Sequence, residues 1–321
     1  MDIIRGDASH EDAILALAAR TLGWTDDPRF RALYRWKHER SPFGASPRWV
    51  AVEDGEVVGF RVLLPWRFER GDGTVVRAVR AVDTATDPAH QGRGIFRRLT
   101  TAAVEELRAE GVDFVFNTPN DQSRPGYLKM GWIELGRPPV AVVPRGRSLP
   151  RIARSRAAAE LWSVPSTVGR AAGPFFEEVD AADLVGPHHR AGTWRTERTP
   201  SFLAWRYGLA ELGYRVLTVD DLRPAARRGP GAVVFRLRRR GPSTEATIAD
   251  VLAPRPDVRR SLVRAVVRET GADYGLVAGG RRVGPTPAVV VASLGPLVTW
   301  RALARRDEPT MSSFELSVGD L

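Results

Sequence analysis

The chain has 321 residues, 43% hydrophobic and 27% charged, with no cysteine and a formal net charge of +10. That length supports two ordinary domains with sizeable cores, and the missing cysteine excludes disulfides, thiolate catalysis and cysteine-ligated metal. Of 48 basic residues only Lys37 and Lys129 are lysine, so the arginines, spread along an Ala-, Gly- and Pro-rich chain, read as coding bias rather than a nucleic-acid face.

Met1-Asp2-Ile3-Ile4-Arg5 lacks the basic start and apolar core of a signal peptide. No stretch approaches ~20 apolar residues. A cytoplasmic protein without a membrane span is expected. Ile3 to Arg5 reads as a short strand. Ser9 is placed to cap an apolar-periodic helix through Leu22, with Asp12 three residues on. A second helix begins at Pro28, a good first-turn residue, and runs to about His38. Trp49 to Glu53, a turn at Asp54-Gly55, and Val57 to Phe68 form an alternating hairpin. After Gly71-Asp72-Gly73 comes the central strand, Val75 to Thr86. The turn Asp87-Pro88-Ala89-His90 then leads through Gln91-Gly92-Arg93-Gly94-Ile95-Phe96 into a helix ending near Glu110, where Gly111 stops it. Val112 to Asn117 is a further strand.

Glycines between a strand and a helix leave backbone N–H groups unpaired at the positive end of the helix dipole, a place that binds phosphate. No Gly-Lys-Ser/Thr follows, so the loop is not a P-loop, and Gly-x-Gly-x-x-Gly is absent, so it is not a dinucleotide fingerprint. The loop resembles the signature of the GNAT superfamily of N-acetyltransferases, Gln/Arg-x-x-Gly-x-Gly/Ala. Gln91, Gly92, Arg93 and Gly94 fit it, and Phe96 stands where the family has Gly or Ala. Downstream, Asn120 and Tyr127-Leu128-Lys129-Met130-Gly131-Trp132 resemble the family's Asn followed by Tyr-x-Lys-x-Gly-Phe. The order of strand, two helices and three antiparallel strands before the loop is also that of a GNAT domain.

The resemblance implies acetyl-CoA as cosubstrate; no metal is expected, given the absence of cysteine. The pyrophosphate of acetyl-CoA would lie on the amides around Arg93, Gly94, Ile95 and Phe96, with Arg93, Arg97 and Arg98 adding charge. Pantetheine would pair with the strand at Val82 to Thr86, including Thr84 and Thr86, and be held by Asn120. Tyr127 would protonate the departing thiolate. For the general base, an acid inside a half-buried strand points to Asp83. The alternative is a rim carboxylate paired with Arg80 or Arg77. His90 reads as a turn residue. Trp24, Phe30, Tyr34 and Trp36 lie on helices that wall the acceptor side in the family, and their helical spacing equally suits a core.

Between about Pro138 and Pro174 the pattern loosens into a linker with one basic helix, Pro150 to Trp162, read as bridging domains rather than lying on a membrane. The second half repeats the first. Phe176 to Asp180 echoes Ile3 to Asp7, Phe202 to Arg206 echoes Leu33 to Lys37, and Tyr214 to Val219 echoes Trp49 to Glu53. Thr247 to Ala253 with Asp257 to Leu262 echoes Val82 to Asp87 with Ile95 to Leu99, and Gly271 to Tyr274 echoes Gly111 to Phe114. Pro254-Arg255-Pro256 replaces the glycine loop, so no phosphate cradle is expected. One arginine cluster falls at Arg236, Arg238, Arg239 and Arg240. His188-His189 has no third zinc ligand at suitable spacing. Trp194, Trp205 and Trp300 read as core, Val289 to Ala292 as a buried strand, and Phe314 to Val318 as a last strand. Leu321 is a remote candidate for proton transfer, because some tandem family members use a terminal carboxylate.

The expected fold is therefore α/β, a mixed and mostly antiparallel sheet flanked by helices, in two GNAT-like domains: 1–137 with the CoA loop, a linker at 138–174, and a degenerate copy at 175–321. The expected activity is direct acetyl transfer to a primary amine of a small molecule such as an amino sugar, since no cysteine exists to carry the acyl group. Nucleic acid is not an expected partner. Two rivals stand beside it: a Fem-type transferase using aminoacyl-tRNA, and a CoA-binding protein whose catalysis has lapsed.

Overall fold

The computed structural model describes residues 1–146, 157–186, 192–222, 229–279, 288–291, 294–304 and 309–321. Its strands are β1 Asp2–Gly6, β2 Arg48–Glu53, β3 Glu56–Arg70, β4 Val75–Thr86, β5 Phe114–Asn117, β6 Ile133–Gly136, β7 Val140–Pro144, β8 Ser163–Val164 and β9 Arg170–Ala171. They continue as β10 Trp194–Thr196, β11 Arg215–Thr218, β12 Ala232–Arg240, β13 Ser243–Leu252, β14 Tyr274–Ala278, β15 Val289–Val291, β16 Val298–Ala302 and β17 Phe314–Glu315. The helices are α1 Glu11–Thr21, α2 Pro28–Glu39, α3 Ile95–Ala109, α4 Arg124–Lys129, α5 Ala172–Glu178, α6 Ala182–Val185, α7 Pro200–Gly208 and α8 Pro256–Thr270. None is long and apolar enough to cross a membrane.

The chain folds into two compact units, and neither is a continuous stretch of sequence. The first comprises residues 1–69, 74–136 and 297–310; the second comprises 70–73, 137–296 and 311–321. Each is a mixed sheet flanked by helices.

In the first unit the strand order is β1-β2-β3-β4-β5-β16-β6. Only β4 and β5 run parallel; every other neighbouring pair in this path is antiparallel. Alternate residues of β2 face opposite sides, as the pleat demands. Trp49 and Ala51 pack under Ile95, Leu99, Ala103 and Leu107 of α3, whereas Val50 joins Ile14, Leu17 and Tyr34 of α1 and α2 on the other face. A sheet covered on both faces requires the near-continuous apolar run that β3 shows. Fully burying each large apolar side chain is worth about 1.5–3 kcal/mol. Trp300, expected in the core, is 2% exposed and stacks on Phe114 at 3.7 Å.

Local signals place the ends. The β2–β3 turn uses Asp54 at φ 52° and Gly55 at φ 84°, the left-handed pair that a two-residue hairpin needs. Asp27 caps α2 through the Arg29 amide. The expected cap of α1 is corrected. Asp7, not Ser9, caps a 3₁₀ turn at Ala8–His10, and α1 starts only at Glu11.

The second unit has the order β15-β7-β14-β13-β12-β11-β9, with β8 paired to β12. Its core joins Val233 and Phe235 of β12 and Ile248 of β13 to Val258, Leu262, Val266 and Val267 of α8. A parallel pair recurs at β13–β14. One hydrogen-bond motif also recurs. In the first unit Asp113 N–H donates to Arg77 C=O and the Arg77 N–H donates to Asp113 Oδ2, at 2.8 and 2.9 Å. In the second, Asp273 and Thr244 make the same two bonds at 2.9 Å each.

Several expectations for this half are corrected. Phe176 lies in α5, not in a strand, because Phe175 and Phe176 fill a core with Tyr207 that an extended segment would not reach. Val289 is 56% exposed on an edge strand, so that strand is not buried. The last strand covers only Phe314–Glu315 before a 3₁₀ turn at Val318–Asp320 capped by Ser317. Most of the expected basic helix, as well as His188, His189 and Ala292, lies outside the described residues, and residues 157–162 are not helical. Arg238 and Arg240 of the basic cluster both pair with buried Glu245 of β13. Burial raises that carboxyl, but the Thr247 hydroxyl and the two guanidiniums outweigh it and hold it below the usual range.

Candidate active site

β4 and β5 run together through Ala78↔Phe114, Val79↔Val115 and Arg80↔Phe116, and then part. β5 ends at Asn117, while β4 continues to Thr86 with, among the described residues, β3 alone beside it. Ala81 to Thr86 therefore keep one edge without a strand partner, a row of backbone groups open to pairing. A cavity of about 710 Å³ lies in this opening, lined by that edge, the glycine loop, Asn120 and Tyr127.

The loop is shaped by two left-handed residues, Gly92 at φ 75° and Gly94 at φ 72°. No atom would crowd a Cβ at either, so the backbone conformation itself calls for glycine. Gly94 is the N-cap of α3 and has no side chain to satisfy the first-turn amides. Those amides stay available to an anion, and the 15-residue helix points its positive end there. The helix can come close to the sheet because Gly59 lies beneath it: a Cβ there would meet Ile95 Cγ2 at 2.7 Å.

Of the expected cofactor residues, Thr84, Thr86, Gln91, Gly92, Gly94, Ile95, Phe96, Arg97 and Asn120 all line the cavity. Arg93 does not. Both its terminal nitrogens bond Glu53 at 2.6 Å, and Glu53 also meets His90 at 3.3 Å, so Arg93 fastens the loop to β2. Arg97, in the first turn of α3, is an exposed cation on the cavity. Asn120 Oδ1 accepts from the Ser123 amide and hydroxyl at 2.8 and 2.9 Å, leaving its NH₂ group for a ligand.

Asp83 sits at an irregularity. Arg61 pairs with Thr84 and Leu63 with Ala81, so Val82 and Asp83 together oppose Val62 alone. Such a bulge re-aims a side chain. Here the carboxylate meets Lys37 Nζ at 2.6 Å and His38 Nε2 at 2.8 Å, both from α2. The expected alternative partners, Arg80 and Arg77, are replaced by these two; Arg77 bonds the Glu110 carbonyl. Burial alone would raise Asp83, but the Lys37 ammonium and the His38 ring outweigh it and hold the carboxyl far below its usual range. Burial lowers His38 despite the Asp83 hydrogen bond, which keeps the ring neutral. In that state Nε2–H donates to Asp83 and Nδ1, 2.9 Å from Ser46 Oγ, accepts from the hydroxyl. Asp83 is thus a fixed anion on the cavity wall and a weak base.

Tyr127 is 3% exposed and reaches the cavity from α4. Its ring meets Phe96 edge-on at 5.2 Å, and its hydroxyl accepts a 2.9 Å hydrogen bond from Arg61. Trp24, Phe30, Tyr34 and Trp36 do not line this cavity. Trp24 stacks on Phe30 at 5.4 Å, and Tyr34 joins the core. Arg61, Lys37 and His38 were not singled out from the sequence. For Arg61 a signal existed, a lone cation inside the apolar run from Val57 to Leu64.

The second unit has a cavity of about 550 Å³ at the corresponding place, where β13 and β14 part beyond Ile248↔Val277. Its chemistry differs. The segment before α8 carries Pro256 at the first turn, which has no N–H to offer, and Arg255 as an extended cap. Residues 311, 312 and 314–318 contribute to the walls. Arg198 is buried in ion pairs with Asp250 at 2.9 Å and Asp320 at 3.0 Å.

Residues 2–134 match the acetyltransferase (GNAT) domain family. No curated protein matches the chain in sequence. Among solved structures, a conserved protein of Enterococcus faecalis named a probable N-acyltransferase superposes with a TM-score of 0.70 at 13% identity, covering 94% of this chain and 73% of its own. A GCN5-related N-acetyltransferase from Kribbella flavida gives 0.62 at 17% identity, with 94% and 71% covered. Eis1 from Mycobacterium abscessus gives 0.55 at 15%, with 94% and 73% covered. At such identities the likeness is one of fold.

Proposed function

We propose that this chain, whose residues 2–134 match the GNAT acetyltransferase domain family, takes acetyl-CoA as cosubstrate and transfers its acetyl group directly to the primary amine of a small molecule. The observation that carries this reading is the convergence on one cavity of three different parts: the glycine loop at the start of α3, the open edge of β4, and Tyr127. They fit three parts of acetyl-CoA in turn.

The first-turn amides of α3 and Arg97 suit the pyrophosphate, a polyanion. The edge from Ala81 to Thr86 suits the amides of pantetheine, which pair as a short strand would, with the Asn120 NH₂ group adding a donor. The cosubstrate supplies an activated thioester. Around it, a β4 N–H is placed to bind the carbonyl oxygen as negative charge gathers there, and Tyr127 to donate a proton at the sulfur. Asp83 is too well stabilised as a carboxylate to serve readily as base; its role in this reading is to draw the acceptor's ammonium toward the thioester, the proton leaving to solvent.

The second unit is read as a degenerate copy of the first; its sheet also takes in β7, β8 and β9 from the segment 138–174, while residues 297–310 of the expected 175–321 copy belong to the first unit. The repeated Asp113 and Asp273 bonds support that reading, and Pro256 in place of a glycine loop supports loss of cofactor binding. The pairing of Arg238 and Arg240 with Glu245 argues against a free basic face for tRNA.

The test is release of free thiol from acetyl-CoA with a panel of amino sugars, diamines and amino acids. At least one amine should support turnover, and Tyr127→Phe should lower kcat by about 10²- to 10⁴-fold. Turnover undiminished in Tyr127→Phe would remove Tyr127 from the reaction. Binding of acetyl-CoA without turnover on any amine would favour a lapsed enzyme.

A further inference from the structure

Arg61 is a cation in an unusual place. It lies mid-strand in β3, 1% exposed, opposite Thr84 of the cavity edge. Its Nη2 donates to the Tyr127 hydroxyl at 2.9 Å, and its Nε makes no hydrogen bond. Among the described residues no carboxylate pairs with it. Its guanidinium carbon lies 5.5 Å from the Phe96 ring centroid and 5.2 Å from that of Tyr127. A buried cation is costly when no anion accompanies it, and ring faces offset only part of that cost. The arrangement makes sense if an anion forms there.

Direction follows from donor chemistry. A guanidinium has no acceptor, so in the Arg61–Tyr127 bond the phenol oxygen must be the acceptor. Tyr127's own proton is then directed away from Arg61, and among the described residues it has no acceptor in the protein. Tyr127 lines the cavity, so the cavity is where that proton can be given. Phe96 holds the other side, edge-on to Tyr127, and a Cβ at Gly126 would press on its ring at 3.0 Å. The residue that departs from the family loop pattern is thus part of the Tyr127 mounting.

We propose that Arg61 is a positioning residue that orients the Tyr127 hydroxyl as a donor into the cavity and neutralises the phenolate left when the proton is given. This rests on the reading of Tyr127 as the acid. In the step, the C–S bond breaks with its electron pair going to sulfur, the Tyr127 O–H proton passes to that sulfur, and tyrosinate remains beside the Arg61 cation. The proton lost by the acylated nitrogen returns through solvent to the tyrosinate, so the sum is amine plus thioester giving amide plus thiol.

Arg61→Gln, Arg61→Lys, Tyr127→Phe and the Arg61→Gln/Tyr127→Phe double variant test this, each checked for folding by thermal melting and for acetyl-CoA affinity by calorimetry. Arg61→Gln should bind acetyl-CoA within about threefold of wild type while kcat falls about 10- to 100-fold. Arg61→Lys should recover part of the loss. In the Tyr127→Phe background, Arg61→Gln should cost nothing further, because the two act as one unit. Additive losses in the double variant, or full kcat in a folded Arg61→Gln, would overturn the proposal while leaving the acetyltransferase reading intact. Absence of acetyl-CoA binding in the wild type would overturn that reading itself. If Arg61→Gln fails to fold, the Arg61→Lys comparison with and without Tyr127→Phe decides the matter in the same way.

Discussion

Asp83 Oδ2 lies 2.6 Å from Lys37 Nζ and 2.8 Å from His38 Nε2, so one carboxylate oxygen ties a bulged strand to two successive residues of a helix. Removing either charge strands the other in a largely buried place. Lys37→Met should therefore lower stability by on the order of 3 kcal/mol, measured by denaturant unfolding. An unchanged midpoint would mean that the pair is solvated and idle.

The same cluster sets a pH dependence. Asp83 is lowered in the fold, so its contribution is present above the unfolded carboxyl value of 3.8 and fades only as pH falls far below it. His38 is also lowered, from an unfolded value of 6.5. Below that value the unfolded chain takes up a proton that the buried ring refuses, so stability falls as pH falls. The melting temperature should drop between about pH 7 and pH 5, and His38→Gln should flatten that part of the curve while costing about 1–3 kcal/mol at neutral pH through the lost hydrogen bonds. A wild-type curve with no slope in that window would show that His38 is not buried neutral.

Gly59 carries no functional atom but permits the approach of α3. Gly59→Val should push Ile95 away and cost about 1–3 kcal/mol by overpacking. Because Ile95 is the first residue of α3, acetyl-CoA affinity should weaken together with stability. A stable variant with wild-type affinity would show that the loop does not depend on this contact.

Arg97 and Arg93 should behave differently. Arg97→Gln should weaken acetyl-CoA binding by severalfold at low salt and by less at high salt, since an exposed ion pair is screened. Glu53→Gln frees Arg93 and should change affinity less than about fivefold, the worth of an exposed pair. Equal effects from both would mean that Arg93 turns to the ligand on binding.

Much of the first unit is legible in its sequence because its signals are local. Val75 to Thr86, the turn at Asp87, the loop glycines and the stop at Gly111 each have a short-range cause in strand alternation, a capping side chain or a left-handed backbone. What escapes is non-local. Asp83 meets Lys37 across 46 positions and Tyr127 meets Arg61 across 66, and no spacing rule connects them. The bulge at Val82-Asp83 breaks the alternation from which the facing of Asp83 was read. Strand exchange hides in the same way: β16 completes the first sheet from position 298 onward, while β7, next after β6 in sequence, joins the second. In the second half the glycine-free turn at Pro254 to Pro256 is legible, but the helix at Phe175 and Phe176 is not, because burial of adjacent aromatics looks alike in a strand and in a short helix.

The most direct test of the account is calorimetric titration of the wild-type protein and of Gly94→Trp with acetyl-CoA. Gly94 stands at φ 72° at the start of α3, so a tryptophan there both strains the left-handed backbone and covers the amides. The wild type should bind with micromolar affinity, and a Gly94→Trp variant that still folds should lose at least about 100-fold, or ~2.7 kcal/mol. Equal binding by both proteins, or none by the wild type, would contradict it.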